Sequence, residues 1–346
     1  MESFLKPRHS HQASSSRRWD IVRVILLMIL AQSLWEAGKL QSTATLAEHS
    51  AACVTNNSTH IIMASPQAVV GSNNNTRDDR QCAYPNIMKH FDAMYIMLMP
   101  QRKQYMEQVV EYYGFSDCFD VIYVPAVHKN SIDKQWFQKK GFVAPHFKLG
   151  IGKIANHLTL LKTLRLFLYN SENSNGGDDD NKDHGWMESR CIILEDDIAM
   201  IETADEDPNS NKLLLEWWQH FSNIVGDMKQ FLNDWDYVNL GRCYATCKSD
   251  DHVTTEIVHY NQAACTHAVG YSYAGALKAM QTYLPLADRS NDLMIADHIA
   301  SGKFDGKAYQ ITPILFRQNE TMGSILTEHG KSWKKPECTD DDNGNR

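Results

Sequence analysis

The stretch CIILEDDIAM, residues 191–200, places three consecutive acids, Glu195, Asp196 and Asp197, directly after an apolar run. Such a run is typical of a strand buried in an α/β sheet, and these folds bind ligands at the carboxyl ends of their strands. If the chain stays extended past Leu194, Glu195 and Asp197 face the same side. Two carboxylates in one crevice form a hard-oxygen site suited to Mg²⁺ or Mn²⁺, and such an ion can hold a substrate diphosphate. The alternative is an acidic turn or a helix-start cap after a strand.

The elements that would position these acids alternate between strand and helix along the chain. Apolar runs of strand length and apolar residues at helical spacing follow one another from residue 91 onward. Strands are predicted at residues 91–100, 119–127, 191–194, 235–241 and 309–316, with a short one beginning near residue 266. Helices are predicted between Pro100 and Gly114, at residues 149–169 and 211–232, and in the segment that ends at Pro285. This alternation predicts an α/β fold with βαβ units.

Composition and charge limit the classes of protein to which the chain can belong. Of its 346 residues 43% are hydrophobic, which is enough to bury a full core in one large domain or two small ones. The net charge is −8, and Lys and Arg form no basic stripe among aromatic residues. We therefore expect no nucleic-acid partner, whereas an acidic substrate would bind through a metal ion.

The N-terminus has the pattern of a secretory-pathway entry signal. Basic residues precede the uncharged run VILLMILAQSLW at residues 24–35. Because this run is shorter than the roughly 20 residues that span a bilayer comfortably, both a cleaved signal peptide and a signal anchor are open for residues 1–35. An anchor would contact the membrane and give a single-pass type II protein with its folded part in the lumen of the Golgi or endoplasmic reticulum. Cleavage would give a secreted protein.

The rest of the chain is predicted to hold a stem, one catalytic domain and a tail. Residues 36–89 are rich in Ser, Thr, Asn, Ala and Gln without periodicity, which is typical of a flexible luminal stem. The single domain is expected at residues 90–336 and contains an acidic surface insertion at residues 170–189. Residues 337–346 are expected to form a mobile tail.

Sequons and cysteines agree with a luminal location. Sequons for N-glycosylation occur at Asn56, Asn57, Asn74 and Asn319, and such sites are usable only in the lumen. Eight cysteines are more than a cytosolic protein of this size needs, and an oxidising compartment would permit some of them to pair.

One group of cysteines has two interpretations. Cys243, Cys247 and Cys265, together with His267, have the residue types of a zinc site. Because of the compartment, we favour a disulfide from Cys265 to one of the other two. Cys191 lies inside an apolar run and is predicted to be a buried free thiol.

Seven segments in order resemble glycosyltransferase family 25, which includes bacterial lipooligosaccharide galactosyltransferases and collagen galactosyltransferases. They are FDAMYIMLMPQR, GIGKIANH, ILEDDI, WDYVNLG, YSYAGALKAM, NDLMIADH and TPILFRQ, and the resemblance runs from about Phe91 to Leu326. The ILEDDI segment matches the acidic motif of the family residue for residue. The sequence departs from the family at Leu98, Met99, Tyr105, Lys153 and Asn156.

The resemblance implies an inverting transferase with a glycosyltransferase-A fold, a Rossmann-like mixed sheet with flanking helices. The donor would be a UDP-sugar, typically UDP-galactose, and the acceptor a hydroxyl of a glycan or glycoprotein. Glu195 and Asp197 would hold Mn²⁺ or Mg²⁺, which neutralises the leaving diphosphate. The residues expected to contact the donor are Pro100, Arg102, Gly152, Asn156, His157, Glu195, Asp196 and Gln318.

Inversion needs a general base on the side of the sugar opposite the diphosphate. Asp292 is the candidate, with Asp288 and Asp297 as nearby rivals. Plainer interpretations stand beside these roles: a helix-capping acid for Asp292, a solvated side chain for Arg102, a core histidine for His157, and a loop contact for Gln318. The alternatives at the level of function are an inactive relative that binds glycans or partner proteins, and a metal-dependent hydrolase.

Overall fold

A computed structural model describes residues 69–70, 82–174, 185–200, 210–232, 234–241, 251–260 and 265–319. The N-terminal apolar run, the sequons at Asn56, Asn57 and Asn74, Cys243 and Cys247, and the tail at residues 337–346 lie outside these ranges. No helix within them is both long and apolar enough to cross a membrane.

The described residues form a mixed α/β fold around one sheet of eight strands. The strands are β1 (Val69–Val70), β2 (Ala93–Leu98), β3 (Asp120–Pro125), β4 (Arg190–Glu195), β5 (Tyr237–Asn239), β6 (Ile257–His259), β7 (Ala268–Ser272) and β8 (Ala308–Ile311). Their order across the sheet is β1-β3-β2-β4-β7-β5-β8-β6. Strands β3, β2 and β4 run parallel to one another, as do β5 and β8, whereas β7 runs antiparallel to both of its neighbours, β4 and β5.

Eight α-helices accompany the sheet in the part of the chain that the structure describes. They are α1 (Pro85–Met88), α2 (Lys103–Tyr113), α3 (Phe115–Cys118), α4 (Lys134–Lys139), α5 (Ile151–Ser174), α6 (Ser210–Phe231), α7 (Tyr273–Thr282) and α8 (Asn291–Ala300). Gly114 ends α2 with φ of 66°, a left-handed conformation that glycine adopts without steric cost. The Ser272 hydroxyl caps the start of α7 by accepting from the Gly275 N–H at 3.0 Å.

The two faces of the sheet bury two separate cores. Side chains alternate along β2, so that Met94, Ile96 and Leu98 join one core while Tyr95 and Met97 join the other. We call the first the tryptophan face; it is built from the aromatic residues Trp217, Trp218, Phe221 and Phe316. We call the second the tyrosine face; it is built around Tyr237, Tyr271 and Tyr283, with α5, α7 and α8 packed against it.

The predicted α/β alternation is confirmed, and several element boundaries differ from the prediction. Helix α5 continues to Ser174, into the predicted insertion, because tertiary contacts hold its last turns. Asn170 Nδ2 donates to the Tyr95 hydroxyl at 3.1 Å, and the Tyr273 hydroxyl donates to Glu172 Oε1 at 2.6 Å. Helices α4 and α8 and strand β6 are additional elements that the sequence patterns did not predict.

Part of the predicted stem belongs to the fold. Strand β1 pairs with β3, and Ile87 in α1 is completely buried. A disulfide joins Cys82 to Cys118 at the end of α3, which attaches this segment to the domain. The folded region therefore includes residues upstream of the predicted boundary at residue 90. This pairing could not be predicted, because connectivity among eight cysteines cannot be deduced from spacing.

Candidate functional site

The acidic triplet lies at the carboxyl edge of the sheet, as its position after an apolar run predicts. Strand β4 ends at Glu195, and the chain turns at residues 196–197. The chain therefore stays extended past Leu194 only as far as Glu195, so the alternation of an extended strand does not place Glu195 and Asp197 on the same side. The turn is held by the closing segment of the fold: the Asn319 N–H donates to the Asp197 carbonyl at 2.6 Å and the Ala199 N–H to the Arg317 carbonyl at 2.8 Å.

Arg102 and Asp196 form a buried ion pair beside this turn. Because Met97 in β2 is paired with Glu195 in β4, the residues that follow the two strands meet at the same edge. Arg102 Nη1 lies 2.7 Å from Asp196 Oδ1 and 3.4 Å from Asp197 Oδ2, and the Met99 N–H donates to Asp196 Oδ2 at 2.6 Å. Asp196 is thereby neutralised, and the structure brings Arg102, predicted to contact a diphosphate, onto the acidic turn.

Glu195 and Asp197 have longer side-chain contacts than Asp196, and Arg102 reaches Asp197 only at 3.4 Å. Glu195 Oε1 accepts from the Thr266 hydroxyl at 3.3 Å, and Asp197 Oδ2 accepts from Gln318 Nε2 at 2.9 Å. Asp197 Oδ1 is buried and has no hydrogen-bond partner among the described residues. Burial, followed by the negative charges of Asp197, Asp292 and Asp196, raises the pKa of Glu195 to about 8.

Asp292 reaches the same site from a distant part of the chain. It lies in the first turn of α8, is half-buried, and accepts from the Cys265 N–H at 3.4 Å. Its charge is among those that raise the pKa of Glu195, which puts the two carboxylates in one electrostatic environment. The position in a first helical turn also fits the plainer capping interpretation, since acids are favoured there.

The two rivals of Asp292 lie elsewhere. Asp288 Oδ1 accepts from the backbone N–H groups of Lys148 and Leu149, at 2.7 and 2.9 Å, and so organises the loop before α5. These hydrogen bonds, the one from Leu149 first, lower the pKa of Asp288. Asp297 is exposed and pairs with Arg289 at 3.4 Å. Asp288 thus organises this loop through Oδ1, and its predicted catalytic role stays a prediction.

His157 supports the segment that carries Asp292. It is completely buried on α5, and its Nε2 contacts the Arg289 carbonyl at 2.9 Å, which ties α5 to the start of α8. Burial lowers the pKa of His157 to about 4, so the ring is neutral at physiological pH. Gly152 and Asn156 lie half-buried on the same helix, and Pro100 is exposed at the head of the 3₁₀ turn Pro100–Arg102.

The carboxylate oxygens of the site would suit a divalent cation that binds the protein and a ligand at the same time. Among the described residues no group of three or more His, Cys, Asp or Glu side chains is arranged to hold a metal ion. Mg²⁺ commonly uses one or two carboxylates together with substrate phosphates, so a complete protein cage is not required. The unpartnered Asp197 Oδ1 and the crowded Glu195 carboxylate supply hard oxygen ligands of that kind.

The remaining predicted residues have the following positions. Cys265 is disulfide-bonded, and since Cys82 pairs with Cys118 and Cys191 is a buried free thiol, its partner lies outside the described residues. A disulfide, rather than a zinc site, is therefore the state of Cys265, and the prediction for Cys191 is confirmed. The sequon residue Asn319 is half-buried, and its Nδ2 donates to the Tyr105 hydroxyl at 3.0 Å.

Sequence reasoning missed two contributors to the site. Thr266 reaches Glu195 because β7 runs antiparallel beside β4, and the Met99 N–H reaches Asp196 because β2 and β4 are in parallel register. Neither residue type carries a chemical signature of its own. Only strand order and register would have revealed them.

Comparison with models of known protein families and with curated protein sequences finds no match to this chain.

Proposed function

We propose that the chain is an inverting glycosyltransferase with a glycosyltransferase-A fold. It would move a hexose from a UDP-sugar to a hydroxyl of a glycan or glycoprotein, and galactose is the first candidate for that hexose. The observation that carries the proposal is the pairing of two incompletely compensated acids, Glu195 and Asp197, with a third carboxylate, Asp292, at the same sheet edge. The resemblance of the ILEDDI segment to the acidic motif of glycosyltransferase family 25 supports the same assignment.

Each acid has a separate task in this reaction. Glu195 and Asp197 would hold Mn²⁺ or Mg²⁺, which supplies electrostatic stabilisation of the charge that develops on the leaving diphosphate. Asp196 does not join them, because its charge is compensated by Arg102 at 2.7 Å. That buried pair instead fixes the turn in which Asp197 lies, and both of its members are less than a tenth exposed.

Asp292 serves as the general base. Its carboxylate accepts the proton of the acceptor hydroxyl while the acceptor oxygen forms its bond to the anomeric carbon. At the same time the bond from that carbon to the diphosphate oxygen breaks, and UDP leaves with the bonding electron pair. Attack and departure on opposite sides invert the configuration. The Cys265 N–H donates to the Asp292 carboxylate and orients it.

The proposal is tested by following UDP release from the purified luminal portion, residues 36–346, in the presence of Mn²⁺. A panel of UDP-sugars, UDP-galactose included, is tested with and without glycan and glycoprotein acceptors. We expect acceptor-dependent UDP release with at least one donor. No donor consumed under any condition, together with no metal-dependent UDP binding, would overturn the proposal.

A variant localises the activity. Asp197→Ala removes the carboxylate with the unpartnered oxygen and should abolish metal-dependent UDP binding and transfer. Asp288→Ala is the matched control, since that carboxylate binds only the loop before α5. Equal loss in both variants would indicate a general structural defect instead of a donor site.

A further inference from the structure

The segment of residues 265–267 contacts two of the three carboxylates to which roles are proposed, Asp292 and Glu195. The Cys265 N–H donates to Asp292 Oδ2 at 3.4 Å, and the hydroxyl of Thr266, the next residue, donates to Glu195 Oε1 at 3.3 Å. The carbonyl of His267 accepts from the Glu195 N–H at 2.8 Å. Three consecutive residues therefore set the distance between the proposed general base and a proposed metal ligand.

The backbone of this segment is strained at the residue that touches Asp292. Cys265 has φ of 71°, in the left-handed region that residues other than glycine rarely adopt. Such a conformation persists only where the surroundings hold it, and strained backbone of this kind clusters at functional sites. The left-handed conformation at Cys265 is what directs its N–H toward Asp292 while Thr266 turns toward Glu195.

Both ends of the segment are anchored. The Cys265 carbonyl accepts from Asn239 Nδ2 at 2.8 Å, and Cys265 is also covalently anchored by its disulfide. At the other end, His267 Nε2 contacts the Phe316 carbonyl at 3.1 Å. His267 packs so closely on Gly241 that a Cβ at that glycine would lie 2.3 Å from the ring nitrogen. The disulfide is the one anchor of the three that a change in redox conditions can remove.

We propose that residues 265–267 are the positioning element of the site and fix the positions of Glu195 and Asp292 relative to each other. The Cys265 disulfide would then make transfer dependent on an oxidising environment. This inference rests on the proposed function and adds a form of regulation to it. A dithiol reductant transfers two electrons and two protons to the disulfide, which becomes two thiols while the reductant becomes a disulfide. The backbone at Cys265 is then released to relax from its left-handed conformation.

The first test compares the disulfide of Cys265 with the disulfide between Cys82 and Cys118. The wild-type protein is reduced stepwise with dithiothreitol, alkylated and freed of reagent before assay, and alkylated cysteines are mapped by mass spectrometry. We expect kcat to fall at least about 10-fold in step with alkylation of Cys265, because a small misplacement of catalytic groups can cost about 100-fold. The Cys82→Ser/Cys118→Ser variant should lower Tm while leaving kcat near that of the wild type.

The outcomes of this test separate the inference from the proposed function. Wild-type transfer that persists at full kcat after Cys265 is alkylated overturns the inference alone. A variant of Cys82 and Cys118 that loses kcat as strongly as the reduced protein also overturns it, since the effect would then be general destabilisation. A wild type without any transfer overturns the proposed function and this inference with it.

The second test removes one contact of the segment without touching a cysteine. Thr266→Val keeps the shape of the side chain and deletes the hydroxyl that donates to Glu195, whereas Thr266→Ser retains the hydroxyl. We expect Thr266→Val to weaken Mn²⁺-dependent UDP binding about 10- to 100-fold, the usual effect of removing a partner that orients a metal ligand, and Thr266→Ser to restore most of it. Equal binding by both variants, at unchanged Tm, would overturn the positioning role.

Discussion

The two faces of the sheet satisfy their buried polar groups to different degrees. On the tryptophan face, the indole N–H groups of Trp217 and Trp218 donate to backbone carbonyls, at 2.7 and 2.9 Å. On the tyrosine face, the buried hydroxyls of Tyr237, Tyr271 and Tyr283 make no hydrogen bond of standard geometry with the described residues, although Tyr271 interacts with Tyr283 and Tyr237 with Asn239. On the tryptophan face, Trp235, Tyr112 and His90 also carry a buried polar atom without such a hydrogen bond.

The polar groups of the tyrosine face surround the start of α8. Both amide atoms of the buried Asn291 and Nδ1 of His157 likewise make no hydrogen bond of standard geometry within the described ranges, although the two side chains interact with each other. The rings of His157 and Tyr283 are 6.0 Å apart, and burial followed by the charge of Asp292 raises the pKa of Tyr260. An unmade hydrogen bond of a buried group costs about 1–3 kcal/mol. The tyrosine face thus has several buried polar groups without a hydrogen bond of standard geometry, among them Asn291 in α8, the helix that carries the proposed base.

The largest expected difference between the faces concerns turnover. Asp292→Asn removes the proposed base and should lower kcat about 10²- to 10⁴-fold, because that is the range that general base catalysis contributes. UDP binding and Tm should be near those of the wild type. Asp297→Asn, on the same helix, is the control, since its exposed ion pair with Arg289 contributes little. Steady-state kinetics of the two variants decide the matter: a kcat for Asp292→Asn equal to that of the control removes Asp292 as base.

A substitution on the tryptophan face should lower the free energy of unfolding and not kcat. Phe221 is completely buried there, 5.6 Å from the ring of Trp217, so Phe221→Ala leaves a cavity that costs about 3–5 kcal/mol of unfolding free energy. Urea unfolding measures this loss, and kcat per folded molecule should stay at the wild-type value. A large drop in kcat at temperatures where the variant is folded would show that the two faces are not separable.

The sequence predicts the fold well where the signal is local. Apolar periodicity locates α2, α6 and β4 within a few residues, and Gly114 ends α2 because a left-handed conformation is needed there. It fails where contacts distant in sequence decide. Helix α5 extends to Ser174 because its last turns contact β2 and α7, and the fold starts upstream of residue 90 because Cys82 pairs with Cys118.

The sequence predicts which acids belong to the candidate site, but not which residues contact one another there. The acids and their sheet edge follow from the apolar run before Glu195, because strand ends are where such folds expose polar groups. Two contacts depend on strand register and loop geometry. They are the ion pair of Arg102 with Asp196 and the hydrogen bonds that backbone N–H groups donate to Asp288. A single sequence contains no direct record of either, so neither of these contacts could be predicted.

The response to acid is a third way to probe the tyrosine face. Burial lowers the pKa of His157 from 6.5 to about 4, so the unfolded chain binds a proton that the folded protein excludes between these values. Stability contributed by the neutral ring is complete above pH 6.5 and is lost as the pH falls toward 4, by about 3 kcal/mol. In His157→Gln this part of the pH dependence should vanish, which urea unfolding at a series of pH values will measure. A profile as steep as that of the wild type would assign the acid sensitivity to other groups.

The smallest expected effect is also the most direct comparison of the two faces, because the same atom is removed from each. The Tyr113 hydroxyl on the tryptophan face donates to the Ala199 carbonyl at 3.1 Å, whereas the Tyr283 hydroxyl on the tyrosine face interacts with Tyr271 without a hydrogen bond of standard geometry. Tyr113→Phe should therefore cost about 1 kcal/mol of unfolding free energy, and Tyr283→Phe should cost less, since no hydrogen bond of standard geometry is lost and a buried polar group is removed. Paired urea titrations resolve this difference. If Tyr283→Phe is the more destabilising of the two, its hydroxyl is satisfied in solution and the two faces are equally well compensated.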